Sequence, residues 1–304
     1  MTEGETGGPG PDYATRVLER AGVADDARLK AAFATVPRAR FLGPPPWQTR
    51  GLQGGYDAPT ADPAAIYDDV LVALDASRGI NNGVPSLHAN AIHALAPQPG
   101  ESVVHIGAGT GYYSAILATM VGETGHVTAV EFDPALADKA DECLKPYANV
   151  ELARGSGADW PQSPCDIVYV NFAADRPLER WVEMLKPGGR LLFPLGVAAA
   201  ARGNGGSVFS ARAGYLLVKK VEGGYAAHFL QGVSFIWGVD LPEGNRDSQI
   251  KLAASFQGGG ASRVRGLRWK TPPGPDEWFS DADWGLTYSA PGADTRRRRS
   301  EPLS

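Results

Sequence analysis

The chain has 304 residues, of which 43% are hydrophobic and 21% are charged, with a formal net charge of −5. This balance is typical of a soluble globular protein and excludes a wholly disordered chain. The acidic charge argues against a broad nucleic-acid surface, and no apolar run approaches the ~20 residues that span a bilayer. Two cysteines, Cys143 and Cys165, predict neither a disulfide framework nor a four-ligand zinc site, and they favour a reducing cytoplasm.

Composition separates the two ends of the chain from its middle. Residues 1–11 are rich in Gly, Glu and Pro and lack the basic and apolar regions of a signal peptide, so we expect a disordered leader. A second disordered segment is predicted over 291–304, where the run Arg296 to Arg299 is typical of a solvated tail. Between them we expect one domain over 12–240 and a C-terminal extension over 241–290.

Helical spacing of apolar residues predicts two N-terminal helices, over 14–21 and 27–36. Residues 48–64 are polar and rich in turn formers, and 67–88 is expected to form a loop. The N-terminal part, about 12–85, is therefore interpreted as a helical cap.

From about residue 86 to 240, strands and helices alternate. The predicted helices are 89–95, 112–120, 134–145 and 178–185, and the predicted strands are 102–106, 126–131, 150–152, 165–170 and 190–194. This alternation indicates a parallel sheet covered by helices on both faces. A Gly-Gly turn at 223–224 between two apolar runs predicts that the sheet ends in an antiparallel hairpin. The extension shows one helix-like stretch, 247–256, and one strand-like stretch, 264–269.

A glycine-rich turn carries the strongest chemical signal. The strand at 102–106 runs into Gly107, Gly109 and Gly111, and a helix follows, which directs backbone N–H groups at a bound ligand. The spacing G-x-G-x-G is one residue shorter than the dinucleotide fingerprint. Glu131 ends the next strand, 24 residues after Gly107, where a carboxylate can accept from both ribose hydroxyls. This order favours S-adenosylmethionine over NAD, and it weakens the alternative of a merely tight loop.

Two further residues near this turn have two interpretations each. His105 stands where many methyltransferases carry an acid, so it either contacts the methionine end of the cofactor or is a buried neutral histidine, which we favour. Tyr112 either contacts the cofactor or packs within its helix.

Five segments resemble protein-L-isoaspartate (D-aspartate) O-methyltransferases, over about residues 14–238. They are VPRARF (36–41), PSLHA (85–89), VHIGAGTGYY (104–113), RGSGADW (154–160) and LKPGGRLLFPLG (185–196). The first and the last of these segments are more specific to the family than the glycine-rich turn is.

The resemblance implies a class I S-adenosylmethionine-dependent methyltransferase (Rossmann-like) fold of the α/β class with an N-terminal helical cap. It also implies methylation of a carboxylate of a peptide or protein. By this resemblance Gly107, Gly109 and Gly111 line the cofactor and Glu131 holds its ribose, while Gly155, Ser156 and Gly157 face its adenine.

The chain departs from the family pattern at two places. The family carries a serine two residues before the proline of P-x-x-H-A, and here that place is taken by Gly83, with Asn82 beside it as an alternative hydrogen-bonding group. The family's Gly-Asp-Gly near the adenine is Gly-Ser-Gly here, at 155–157.

A carboxylate acceptor is ionised at neutral pH and needs no general base, only alignment and exclusion of water. We therefore expect Asn82, Gly83 and His88 at the acceptor site, and we predict no metal site. His88 is either a substrate contact or a structural histidine. If the acceptor were a phenol or an amine, His88 or Asp68 would be the candidate base.

Two alternatives remain open. One is a paralogue that methylates another acceptor, such as an aspartate of a modified peptide or a small molecule, and the other is a cofactor-binding protein without catalysis. We expect neither a nucleic-acid nor a membrane partner, and the sequence leaves the oligomeric state open.

Overall fold

The computed structural model describes residues 10–50, 56–199, 209–242 and 244–292. The predicted leader up to residue 9, the tail from 293 with its arginine run, and most of the Ala/Gly loop at 198–206 lie outside the described residues. The chain forms two compact units, which divide after Gly157, within the segment predicted as a single core. Among the described residues, no helix has both the length and the apolar character needed to cross a membrane.

The first unit begins with the two predicted helices, α1 (Gly10–Ala21) and α2 (Ala27–Thr35). Helix α1 starts at Gly10, two residues inside the predicted leader. Helix α2 starts after Asp26, whose carboxylate accepts from the Leu29 N–H and caps the helix N-terminus. The inward side chains of both helices are fully buried, so the predicted cap is a packed element of this unit.

A small antiparallel sheet lies in the region predicted to be a loop. Its strands are β1 (Thr49–Arg50), β2 (Leu71–Asp75) and β3 (Ile80–Asn81), in the order β1-β2-β3. It packs on a separate apolar cluster of Leu42, Trp47, Ile66 and Val72. Strands of two to five residues are too short to show an alternating pattern, which is why the sequence did not predict them.

The rest of the first unit follows the predicted order of elements. It contains α3 (Pro85–Leu95), β4 (Ser102–Ile106), α4 (Tyr112–Val121), β5 (His126–Glu131), α5 (Pro134–Leu144) and β6 (Val150–Arg154). Strands β4, β5 and β6 pair in parallel, with Ile106 opposite Val130 and Glu131 opposite Arg154. Their carboxyl ends therefore lie at one edge of the sheet.

The second unit continues the α/β pattern and then becomes antiparallel. Its first elements are β7 (Cys165–Val170), α6 (Glu179–Glu183), β8 (Leu185–Ala198), β9 (Ser210–Val221) and β10 (Gly224–Val233). Strands β7 and β8 are parallel, and β8, β9 and β10 are antiparallel, so the hairpin is present as predicted. Helix α6 is shorter than expected because Leu185 already pairs with Cys165, and the Pro-Gly-Gly segment forms an irregularity in β8.

The C-terminal extension belongs to the second unit. It consists of α7 (Arg246–Gly258), β11 (Gly266–Trp269), β12 (Glu277–Ser280) and β13 (Trp284–Thr287). The strands continue the antiparallel part in the order β10-β11-β13-β12. The rings of Phe229, Phe256 and Trp278 lie 5.1 to 5.7 Å apart and join β10, α7 and β12. Helix α7 and β11 lie where the sequence predicts them, whereas β12 and β13 were not predicted.

Candidate active site

The glycine-rich turn joins β4 to α4 at the carboxyl edge of the parallel strands. Gly107, Gly109 and Gly111 all have positive φ, of 75°, 59° and 95°. The Gly107 N–H donates to the Val130 carbonyl at 2.9 Å, which fixes the turn to β5. A Cβ on Gly111 would lie 2.8 Å from Leu144, so both the backbone and the packing require glycine there.

Glu131 faces this turn from the end of β5. Its carboxylate accepts from the Gly109 N–H at 2.7 Å and from the Asp133 N–H at 2.9 Å. The side chain is largely buried, and this burial raises the pKa of the Glu131 carboxyl above its ordinary value, although both backbone donors oppose the change. The structure thus brings together the two features from which the sequence predicts the cofactor site.

The end of β6 completes the same edge. The Gly155 N–H donates to the Glu131 carbonyl at 3.0 Å, and Gly155 has a φ of 145° with no atom within 4 Å of the place a Cβ would occupy. Ser156 is half-buried and Gly157 is buried. Gly155 is therefore beside Glu131, and contact of residues 155–157 with adenine stays a prediction.

His105 and Tyr112 point into the interior. His105 is fully buried, its Nδ1 lies 2.7 Å from Ser114 Oγ, and burial lowers its pKa to about 3. Tyr112 packs against Phe33 and Phe41, with its hydroxyl 3.5 Å from that of Tyr13. These contacts favour the structural interpretation of His105 and packing for Tyr112. A direct cofactor contact of either residue stays a prediction.

The three residues predicted for the acceptor site lie together. Gly83 has a φ of 78°, and a Cβ there would lie 2.2 Å from His88 Nε2. The His88 imidazole is buried and stacks on Tyr113, with ring centroids 3.8 Å apart and 14° between the planes. Burial, with smaller effects of His105 and Arg38, lowers the pKa of His88 well below its ordinary value. His88 is therefore a neutral imidazole at physiological pH.

Arg38 is a residue of this site that sequence reasoning missed. It is fully buried, and its Nε donates to Asn82 Oδ1 at 3.1 Å. The signal available was its place inside the family-specific segment VPRARF, but the sequence alone gave no partner for its guanidinium.

The two neighbouring aspartates differ in environment. Asp68 forms an ion pair with Arg20 at 2.7 Å, and both side chains are 50% exposed, so its environment gives no support to a role as a base. Asp69 is largely buried, and its two carboxylate oxygens accept from the N–H and the hydroxyl of Ser86 at 2.7 and 2.6 Å. Asp69 thereby satisfies a free donor in the first turn of α3.

The β2–β3 hairpin connects the acceptor residues to the cofactor edge. Leu74 Cδ1 lies 3.9 Å from the place that a Cβ of Gly109 would occupy. The turn of the hairpin carries Arg78, which forms an ion pair with Asp133 at 2.5 Å, two residues after Glu131. The small sheet that the sequence missed is therefore the element that joins the two halves of the site.

The chain is similar in sequence and in fold to known proteins. The family model for protein-L-isoaspartate (D-aspartate) O-methyltransferase matches residues 14–204, which is more than half of the chain. A curated protein-L-isoaspartate O-methyltransferase from Aeropyrum pernix is 36% identical over 184 residues, which cover 59% of this chain and 64% of the relative. The chain thus spans just under two thirds of that relative's length.

Two solved structures share the fold. One is a protein-L-isoaspartate O-methyltransferase with a TM-score of 0.60 and 21% identity, covering 92% of this chain and 88% of that one. The other, from Plasmodium falciparum, is assigned as the same enzyme and contains S-adenosyl-L-homocysteine; its TM-score is 0.58 at 17% identity, over 76% of this chain and 98% of that one. The predicted fold class is confirmed. A match over 92% of the chain also reaches well into the C-terminal extension.

Proposed function

Because the chain belongs to the protein-L-isoaspartate (D-aspartate) O-methyltransferase family, we propose that it transfers a methyl group from S-adenosylmethionine to a carboxylate of a peptide or protein. The observation that carries this proposal is the contact of Glu131 with the glycine-rich turn. A buried carboxylate 2.7 Å from the Gly109 N–H places an acceptor for ribose hydroxyls beside backbone donors, at the edge where the three parallel strands end.

The residues of this edge fit the cofactor. The glycines of the turn allow a ligand to approach the backbone, and Gly155 opens onto space in which a Cβ would meet nothing within 4 Å. Glu131 would hold the ribose, and residues 155–157 would adjoin the adenine. When bound, S-adenosylmethionine supplies an electrophilic methyl group on a sulfonium.

The acceptor residues fit a substrate that is already ionised. His88 is neutral and buried, Asp68 is on the surface, and Asn82 supplies an amide. This set can orient a carboxylate and exclude water, and it does not favour a phenol or amine acceptor, which would need an accessible base. Gly83 has no side chain for the acceptor, so the hydrogen-bonding role assigned to the family's serine would fall to Asn82.

A second candidate is methylation of a carboxylate other than isoaspartate, such as an aspartate of a modified peptide or a small acid. The left-handed backbone of Gly83 and its contact with His88 favour this candidate, because they give this chain an acceptor segment unlike the pattern of the family. A reducing cytoplasm belongs to the same proposal, supported by the free cysteines Cys143 and Cys165.

The test uses methyl-labelled S-adenosylmethionine and two peptides that differ only in Asp or isoAsp. Base-labile label on the isoAsp peptide alone would establish isoaspartyl methylation. Label on the Asp peptide, or on a small acid in its place, would establish the second candidate. Binding of S-adenosylhomocysteine without label on any acceptor would contradict both and indicate a protein that binds the cofactor without catalysis.

A further inference from the structure

We propose that Arg38 is the positioning residue of the acceptor site and that it acts through Asn82, whose amide it orients toward the substrate carboxylate. This inference rests on the proposed function, because it assumes that the acceptor is a carboxylate. In this role Arg38 touches neither substrate nor cofactor. It determines where the acceptor segment lies and which end of the Asn82 amide is presented.

All five N–H donors of the buried guanidinium are engaged. Besides its bond from Nε to Asn82, Arg38 donates from Nη1 to the carbonyls of Ile66 and Asp68, at 2.7 and 3.0 Å. It donates from Nη2 to the carbonyls of Val70 and Gly83, at 2.7 and 3.4 Å. The acceptors lie at both ends of the segment from 66 to 83, so a single side chain closes this segment into one loop.

The bond to Asn82 fixes the direction of the amide. An arginine N–H only donates, so the atom of Asn82 that faces Arg38 Nε must be the oxygen. The amino group Nδ2 is then on the opposite branch, where it can donate to a carboxylate. The charge of the guanidinium also polarises the amide, which strengthens Nδ2 as a donor.

The charge of Arg38 adds a preference for an anionic acceptor. Its five hydrogen-bond acceptors are four carbonyl oxygens and one amide oxygen, all formally neutral. Across the described part of the chain, no carboxylate forms an ion pair with Arg38 within 4.0 Å. The buried carboxylate of Asp69 interacts electrostatically with Arg38 and offsets part of its charge. The remaining positive charge next to the acceptor segment favours an anionic acceptor over a neutral one.

Lysine cannot reproduce this arrangement. Its ammonium group has three donors at one point, whereas Arg38 reaches five acceptors with a planar fork. Arg40 supplies a matched control two residues away. It is exposed, and it also holds backbone carbonyls, those of Cys143 and Glu142 at 2.8 and 3.2 Å, but none in the acceptor segment.

The experiment compares Arg38→Lys, Asn82→Ala, their double variant and Arg40→Lys with the unmodified chain. For each, kcat/KM is measured for the methyl acceptor, and the Kd of S-adenosylhomocysteine is measured by calorimetry. We expect Arg38→Lys to lower kcat/KM for the acceptor about 100-fold and to change the Kd less than about twofold. The double variant should lose no more than the worse single variant, and Arg40→Lys should behave as the unmodified chain.

Three results would overturn the proposal: full activity of Arg38→Lys, losses that multiply in the double variant, or an equal loss of cofactor affinity. If Arg38→Lys does not fold, Asn82→Ala takes its place, because it removes the amide but keeps the four carbonyl contacts of Arg38. We expect it to lower kcat/KM for the acceptor at unchanged Kd, and an unchanged kcat/KM would overturn the proposal. If the unmodified chain methylates no carboxylate, the proposed function fails. Amide hydrogen exchange then tests the loop, and exchange over 66–83 that is equal in Arg38→Lys and Arg40→Lys would reject the role of Arg38 as well.

Discussion

The α-carbon of Gly83 lies directly against the imidazole of His88: a Cβ at this position would be 2.2 Å from Nε2. Gly83 also has a φ of 78°, a conformation that side-chain-bearing residues rarely adopt. Backbone conformation and packing therefore both disfavour a serine at this position. Glycine at this position is therefore required by its own backbone conformation and by the place of the His88 ring.

Restoring the family's serine should consequently damage the protein. We expect Gly83→Ser to lower the free energy of unfolding by about 3 kcal/mol, from roughly 1–2 kcal/mol of backbone strain and the remainder from displacement of His88. Gly43→Ser is the matched control, because Gly43 has a φ of 73° but nothing within 4 Å of its Cβ position. In Gly43→Ser the free energy of unfolding should fall only by the cost of the backbone strain. Chemical denaturation measures both, and equal losses would show that the contact with His88 costs nothing.

The same pair predicts a partial rescue. In Gly83→Ser combined with His88→Ala, the imidazole that meets the new Cβ is absent, so only the strain and the loss of the buried ring remain. The effects of the two substitutions should be less than additive, since the residues are in contact. Denaturation midpoints of the four proteins give the coupling. Strictly additive effects would mean that the serine side chain avoids His88 by a backbone shift.

Glu131→Gln tests the cofactor edge. The substitution keeps the shape of the side chain but removes the negative charge of the carboxylate, which accepts from the N–H groups of Gly109 and Asp133. The ribose hydroxyls would then lose their hydrogen bonds to a charged group, which contribute about 1.5–3 kcal/mol. We therefore expect S-adenosylhomocysteine to bind about 10- to 100-fold more weakly. Glu151→Gln, on the neighbouring strand β6 and exposed to solvent, is the control. Calorimetric titration that gives equal Kd values for the two variants would remove Glu131 from the cofactor site.

The buried histidines predict how stability depends on pH. Burial lowers the pKa of His105 to about 3 and that of His88 well below its ordinary 6.5, so both stay neutral in the folded chain. Below pH 6.5 the unfolded chain binds more protons than the folded one, and the free energy of unfolding therefore falls as the pH falls. Each histidine should cost about 1.4 kcal/mol between pH ~7.5 and ~5.5.

His105→Gln should reduce this dependence on pH by one histidine's share. Glutamine still offers a partner to Ser114 Oγ but does not titrate. Denaturation midpoints of the variant and the unmodified chain, measured across this pH range, give the two slopes. Identical slopes would show that His105 takes up its proton without unfolding, against its complete burial.

Much of the cofactor edge could be predicted from the sequence, because it is built from local signals. The strands β4, β5 and β7 have their predicted bounds, since buried parallel strands are continuous apolar runs and their ends are marked by Gly107 and by the helix cap Asp133. Glu131 could be predicted as a residue of the cofactor site because it stands at the end of such a run. Because these strands are parallel, their carboxyl ends meet at one edge of the sheet, and this alone brings Gly107 and Glu131 close together.

The acceptor segment could not be predicted in the same way, because long-range contacts form it. Arg38 bonds to Asn82, 44 residues away, and Arg78 to Asp133, 55 residues away. Neither contact produces a periodic pattern in the sequence from which it could be predicted. The short strands β1 and β3 carry no signal of their own, and β12 and β13 follow polar turns that hide their alternation.

One arginine side chain holds the strands of the C-terminal extension together. Arg268 on β11 and Glu277 on β12 form a buried ion pair at 2.5 Å, with side chains 7% and 4% exposed. Arg268 also donates to the carbonyls of Asp281 and Trp284, at 2.6 and 2.8 Å, so this one side chain joins all three strands of the extension. Removing the carboxylate would leave a buried charge without its counter-ion, which typically costs 3–5 kcal/mol.

We therefore expect Glu277→Gln to lower the free energy of unfolding by about 3 kcal/mol. Three of the seven tryptophans, Trp269, Trp278 and Trp284, lie in the extension, so fluorescence during urea denaturation follows its unfolding directly. Lys270→Ala removes the exposed ion pairs with Glu179 and Glu183 and is the matched control, with a midpoint near that of the unmodified chain. If the extension is purely a structural part of the second unit, Glu277→Gln leaves the Kd of the cofactor and the KM of the acceptor unchanged at low temperature. A raised acceptor KM in the folded variant would instead assign the extension a part in binding the substrate.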